Sequence, residues 1–165
     1  MYKRILAPID GSPASTLGLD EAIRLAKDQQ AQLRILHVLN EWLVVSPDAA
    51  GANPGVVEEA LRESGDALLN EAEIRARNAE VTTSTVMLEQ IGTPVGAAIV
   101  RHANEWPADL IVCGTHGRRG VRRLVLGSDA EYIVRHARIP VLLLRYAEET
   151  EPKQAPAKGK PDEKK

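Results

Sequence analysis

Phenylalanine is absent from the 165 residues, and two Trp and three Tyr are the whole aromatic complement. A core built from this chain therefore rests on Leu, Ile, Val and Ala. Cysteine is nearly missing too. Cys113 stands alone, which excludes an internal disulfide and the usual structural zinc sites, whose ligand sets need more than one thiolate. No apolar run reaches the roughly 20 residues that span a bilayer. Neither sign of charge dominates: 21 Lys and Arg against 23 Asp and Glu leave a net charge of −2. No global field draws such a chain to nucleic acid or to a membrane. Met1-Tyr2-Lys3-Arg4 runs straight into an apolar segment, so no signal peptide is expected. With the lone cysteine, this gives an expectation of cytoplasmic location. Two reaction motifs are also lacking, the His-Glu-x-x-His zinc helix and the Gly-x4-Gly-Lys-Ser/Thr phosphate loop.

What is present alternates regularly. Arg4 to Ile9 reads as a strand buried on both faces. Asp10-Gly11-Ser12-Pro13 follows, with Ser12 placed to cap a helix and Pro13 suited to its first position. Leu19, Ala22, Ile23 and Ala26 mark one face of that helix, and Leu33 to Leu39 is a second apolar strand. Strand, helix, strand is a βαβ unit with parallel pairing and a right-handed crossover. Glu41 to Pro54 reads as a loop carrying Trp42, either folded over the domain edge or forming a lid. A long helix with the stripe Val57, Ala60, Leu61, Ser64, Leu68, Ala72 follows, its charged face (Glu58, Glu59, Arg62, Glu63, Asp66) read as solvated. Val81, Thr83, Thr85 and Met87 alternate as on a less buried edge strand. Thr93-Pro94 reads as a cap and first-turn proline ahead of Val95, Ala98, Ile99 and His102, with His102 read as a satisfied, partly buried residue. Asp109 leads into a fourth strand, and Val141 to Leu144 forms a fifth. The expected architecture is an α/β domain over residues 1–146 with helices on both faces of an open parallel sheet. Residues 147–165 carry Pro, Lys, Glu and Ala without apolar periodicity, and are expected to be a disordered polar tail. No internal repeat is found.

The stretch around which the rest is organised runs from Leu110 to Ser128. A short apolar run, Leu110-Ile111-Val112-Cys113, ends in Gly114-Thr115-His116-Gly117, and Gly127-Ser128 opens another element. Ser128 reads as a helix N-cap with Glu131 three residues on, the pattern of a capping box. Glycines let main-chain amides approach an anion, and a helix N-terminus adds a partial positive charge. Gly114 and Gly117 enclose two residues, and Gly127 follows after nine more, directly before Ser128. This resembles the Gly-x2-Gly-x9-Gly-Ser/Thr signature of the ATP-binding subclass of universal stress proteins, a likeness that extends from Arg4 to about Leu144. The resemblance implies a Rossmann-like, five-stranded sheet of order 3-2-1-4-5. Strand order would then reverse between the first and fourth strands, where ligands sit in open α/β sheets.

The resemblance further implies nucleotide contacts at Pro8, Ile9, Asp10, Val38, Gly114, His116, Gly117, Gly127 and Ser128, with ATP, ADP or AMP as ligand and Mg or Mn as a possible companion ion. Asp10 could accept hydrogen bonds from ribose hydroxyls or help hold a divalent ion; its structural alternative is an Asx-turn. At Val38 the main chain would meet adenine, whatever the side chain does. Of Arg118, Arg119, Arg122 and Arg123, Arg118 is the first choice for a phosphate contact, because the guanidinium fork binds two oxygens at once. His116 is equally readable as a plain turn residue. Asp129 opposes the scheme: it favours the helix dipole but repels phosphate unless it points away or meets a metal. Cys113 reads as inert packing. No catalytic constellation emerges. ATP-pyrophosphatases of similar architecture carry a Ser-Gly-Gly-x-Asp-Ser loop after the first strand, and Asp10-Gly11-Ser12-Pro13-Ala14-Ser15 does not match it. The sequence is therefore read as a nucleotide-binding regulatory module; a nucleotide-free interaction protein and a slow ATPase are the alternatives. The apolar last strand, Val141 to Leu144, would leave a sheet edge exposed unless a second copy covers it, and the family likeness implies a homodimer through that strand.

Overall fold

The computed structural model describes residues 1–40, 53–90, 92–115 and 126–146. The candidate lid around Trp42, the contacts at His116, Gly117 and Arg118, the remaining spacer arginines and the tail fall outside the described residues.

Pairs of apolar residues alternate in direction along the strands and set the layers. The elements run β1 (Arg4–Pro8), α1 (Pro13–Gln29), β2 (Gln32–Asn40), α2 (Pro54–Asn78), β3 (Thr83–Gln90), α3 (Val95–Glu105), β4 (Leu110–Gly114), α4 (Ser128–His136) and β5 (Val141–Leu144). The five strands are all parallel and ordered β3-β2-β1-β4-β5, as expected. Ile5, Ala7, Leu33, Ile35, Leu110 and Val112 point to one face, where Leu19, Ala22 and Ile23 of α1 and Leu69 and Ala72 of α2 meet them. Leu6, Leu36, Ile111 and Cys113 point to the other, against Ile99 and Ala103 of α3 and Ile133 of α4. Right-handed crossovers explain the division. The chain steps outward from β1 through β2 to β3 with its helices on one face, then returns past β1 to β4 and β5 with its helices on the other.

Local chemistry defines the helix ends. Ser12 caps α1 by accepting the Ser15 amide at 3.2 Å, with Pro13 at the first position, as expected. Asn53 caps α2 by accepting the Gly55 amide at 3.0 Å, so α2 starts at Pro54, three residues before Val57. Two expectations are corrected. Pro94, not Thr93, occupies the cap position of α3, and it carries no side-chain oxygen to do the work. The Asp129 carboxylate of α4 does it from outside, accepting the Gly96 amide at 3.1 Å. Likewise Gly127, not Ser128, caps α4, and no capping box forms; Glu131 instead pairs with Arg135 at 2.8 Å.

The far end of the sheet holds a buried polar group that the sequence pattern misjudges. His102 is buried on the inner face of α3, but its Nε2 has no hydrogen-bond partner among the described residues, so it is not the satisfied histidine expected. Arg34 lies nearby, its guanidinium 4.4 Å from the centre of the Trp106 ring and bonded to Ser84 Oγ at 3.1 Å. Burial first, and the Arg34 charge second, lower the pKa of His102, against a smaller opposing pull from Glu105. The folded ring is thus harder to protonate than the unfolded one, whose pKa is about 6.5. Stability to urea should be full above that pH and fall as the pH drops through it towards the lowered folded value. His102→Leu should flatten that part of the profile; an unchanged slope would assign the pH dependence elsewhere.

Candidate functional site

β1 is short, and everything at the mouth of the sheet follows from that. It ends at Pro8, opposite Leu36, while β2 continues to Asn40. On its other side β1 pairs with β4 through Ile5–Leu110 and Leu6–Ile111. Beyond Pro8 the chain leaves the sheet, and a crevice opens between β2 and β4 at the point where strand order reverses. Pro8, Ile9 and Asp10 lie at its floor, with residues 37–40 on one side and Cys113-Gly114 on the other.

The loop after β1 is held by its own side chains. The Ser12 amide donates to Asp10 Oδ1 at 2.9 Å, which makes the Asx-turn alternative a fact of the fold. Gly11, at φ 80°, occupies the left-handed region that the turn demands. The Asp10 amide donates to Ser15 Oγ at 3.3 Å, and that hydroxyl donates to the Ser12 carbonyl at 3.0 Å. Ser15 is a part of the site that the sequence reading missed, because one serine in a helix's first turn has no distinguishing signal.

Gly114 is glycine for a reason the spacing did not reveal. A Cβ there would lie 2.7 Å from the Ala14 carbonyl carbon and 2.9 Å from the Ala14 Cβ, both in the first turn of α1. Gly18 serves the same contact from the helix side, since its Cβ would come within 3.3 Å of the Cys113 and Gly114 main chain. The two glycines let the start of α1 rest directly on the end of β4. Close helix packing, which is independent of any ligand, is thus sufficient to require Gly114.

The opposite wall is stitched by the main chain. Thr115 donates its amide to the Leu144 carbonyl at 2.9 Å, and its carbonyl accepts the Gly127 amide at 2.9 Å. The ends of β4 and β5 and the start of α4 therefore converge, bringing Gly114 and Gly127 together as the spacing implied. The Gly127 amide is used in this stitch. Ser128, Asp129 and Ala130 supply the first-turn amides of α4, which have no acceptor inside a helix. Ser128 is exposed and makes no cap bond, so its hydroxyl is left for other work. Asp129 points to α3, which answers the repulsion its position threatened. Cys113 is buried, and burial pushes its thiol up to about 12, as befits inert packing. Val38 is half-buried and pairs with Leu88 of β3.

Among the described residues, no group of three or more His, Cys, Asp or Glu gathers to hold a metal ion. None of their helices is long and apolar enough to cross a membrane. The site missed one titratable side chain altogether. His37 is buried beside the floor, its Nδ1 at 2.9 Å from the Ile9 carbonyl. The signal was there, a lone histidine within the apolar run from Ile35 to Leu39.

A parallel α/β sheet with its crevice at the reversal point is the architecture of many mononucleotide-binding modules. The chain belongs to the universal stress protein family, whose model matches residues 1–145. A universal stress protein of Methanocaldococcus jannaschii is 36% identical over 145 residues, covering 88% of this chain and 83% of the relative. The solved structure of a family protein from Burkholderia pseudomallei matches with a TM-score of 0.68 and 31% identity, over 87% of this chain and 96% of that one. A universal stress protein solved in complex with cAMP matches with a TM-score of 0.57 and 27% identity, over 87% and 97% of the two chains.

Gly114→Ala should cost about 1–3 kcal/mol in chemical denaturation, with or without any small molecule present, because Ala14 backbone and not a flexible side chain meets the new methyl. A variant as stable as the parent would mean that α1 can retreat from β4.

Proposed function

We propose that the crevice binds an adenine nucleotide and that the chain works as a nucleotide-responsive regulatory module of the ATP-binding subclass, in the cytoplasm, and not as an enzyme. The observation that carries this reading is the convergence of the Gly114 turn with the Gly127-Ser128 start of α4, directly across the crevice from Ile9 and Asp10. The binding of cAMP by a structurally similar family member supports adenine as the base. In this reading the adenine meets the Val38 main chain and the edge of Pro8 and Ile9, and the ribose meets Asp10. The phosphates take the first-turn amides of α4, the Ser128 hydroxyl, and Gly117, Arg118 and His116 from the spacer. With no metal cluster among the described residues, Mg or Mn would be held chiefly by phosphate oxygens, with water completing its shell.

The competing reading is an interaction domain that binds nothing at this turn. The packing of Gly114 against Ala14 favours it, since that glycine is explained without a ligand. Denaturing the purified protein and identifying any released nucleotide by mass spectrometry separates the two, together with calorimetric titration of ATP, ADP and AMP. The expected result is an adenine nucleotide in the released fraction, and an affinity that drops at least about tenfold in Gly117→Val. A protein that is empty as purified and takes up no adenine nucleotide at millimolar concentration overturns the proposal.

The same module is proposed to be a homodimer through β5. This strand closes one edge of the sheet, and Val141 to Leu144 are each half-buried in the single chain. An apolar edge left open templates pairing with another chain, and a two-fold copy of itself closes it. Light scattering at tens of micromolar protein should give the dimer mass, and Leu143→Lys should shift it to monomer. A monomer in the parent protein rejects this assembly.

A further inference from the structure

We propose that His37 is a positioning residue of the crevice. By donating its Nδ1–H to the Ile9 carbonyl, it ends the β1–β2 ladder early and leaves the Val38 main chain facing an incoming adenine. The proposal rests on the adenine-nucleotide reading of the same crevice.

The ladder shows what the histidine interrupts. The Ile9 amide donates to the Leu36 carbonyl at 2.8 Å, one residue past the end of β1. In a parallel pair, the next rung would join the Ile9 carbonyl to the amide two residues beyond Leu36, which is that of Val38. Had that rung formed, the Val38 amide would be spent inside the sheet. The Ile9 carbonyl is met by the imidazole instead, at 2.9 Å. A carbonyl oxygen has no proton to give, so Nδ1 carries it, and the bond fixes the tautomer. Residues 37–40 of β2 keep β3 as their neighbour on one side, through Val38–Leu88 and the rungs around it. On the other side they run past the end of β1. The edge that results presents a main-chain donor and acceptor, the pair that the edge of an adenine ring complements.

Two further features are consistent with a ring held in one place. His37 is only 7% exposed. Gly65, in the middle of α2, faces it: a Cβ there would lie 2.9 Å from the ring Cδ2 and 2.8 Å from Met87 Sδ. Glycine is unfavourable in a helix interior, so its use at this turn fits space kept for the imidazole. The held carbonyl also fixes the peptide between Ile9 and Asp10. From there the chain is committed: the Asp10 amide goes to Ser15 Oγ and its carboxylate to the Ser12 amide. One ring thus governs both the edge offered to the base and the direction of the carboxylate offered to the ribose.

The test uses the full chain and two variants. In His37→Asn the side-chain amide lies close to the place of Nδ1 and still donates; in His37→Leu the bulk remains and the donor is gone. Calorimetry should show AMP binding weakened by about tenfold in the Leu variant, the worth of one buried hydrogen bond. The Asn variant should stay close to the parent. Inorganic triphosphate, which has no base to place, should bind both alike. Equal AMP affinity in the Leu variant and the parent overturns the proposal, and so does an Asn variant as weak as the Leu one. If the parent itself binds no adenine nucleotide, the nucleotide reading fails, and hydrogen exchange still decides the positioning role. Faster exchange of the Asp10 and Ser12 amides in the Leu variant but not in the Asn variant upholds it; identical exchange in all three proteins overturns it. Should the Leu variant fail to fold, His37→Gln, whose amide reaches towards the Nε2 end of the ring, replaces it and is expected to behave as the donor-free variant.

Discussion

The contact between the first turn of α1 and the end of β4 is the constraint on which the rest depends. α1 belongs in sequence to β1 and β2, yet its start lies on β4, because Gly18 and Gly114 remove the two side chains that would hold them apart. The contact places Ser12 and Ser15 over the exit of β1, where they organise the turn through Asp10. It also brings β4 against β1 at the one place where the chain reverses its direction across the sheet. A crevice at such a point is a consequence of topology. The close approach of α1 to β4 beside it is a consequence of two missing β-carbons.

The walls of the crevice are tied to elements that lie outside it. Asp129 sits in the first turn of α4, where a carboxylate oriented towards the opening would lower its affinity for an anion. It turns to the start of α3 and serves as the cap that Pro94 cannot provide. One side chain therefore joins two helices and directs its carboxylate to an amide of α3. Gly96, whose Cβ would approach the Asp129 carbonyl to 2.9 Å, permits the approach that makes the bond possible. His37 does comparable work on the opposite wall, and its room comes from a glycine in α2. In both cases polar side chains that could have pointed into the opening define its edges by bonding elsewhere.

Much of this was legible without coordinates, for identifiable reasons. Continuous apolar runs such as Leu110 to Cys113 announce strands buried on both faces, and the 3.6-residue stripes between them announce helices. Ser12-Pro13 marks a helix start with two independent signals, and α1 begins there. Thr93-Pro94 and Ser128 with Glu131 carry the same kind of signal and were misread. Their caps are decided by partners distant in sequence: Asp129 reaches Gly96, and Thr115 takes the Gly127 amide and sets where α4 begins. His102 failed similarly. Its apolar neighbours implied burial, which is correct, but only the packing around it determines that Nε2 has no partner.

The sequence by itself determined the class of fold, the number and order of its elements, and the spacing that draws Gly114 and Gly127 to one end of the sheet. These follow from periodicity and from the backbone preferences of glycine, serine and proline, which act over a few residues at a time. Only the tertiary structure decided which atoms at that end are already engaged: the Gly127 amide by Thr115, the Asp129 carboxylate by α3, the Ile9 carbonyl by His37. Local pattern cannot report this, because each of these bonds joins residues from separate segments. It forms only once the sheet order has set those segments side by side.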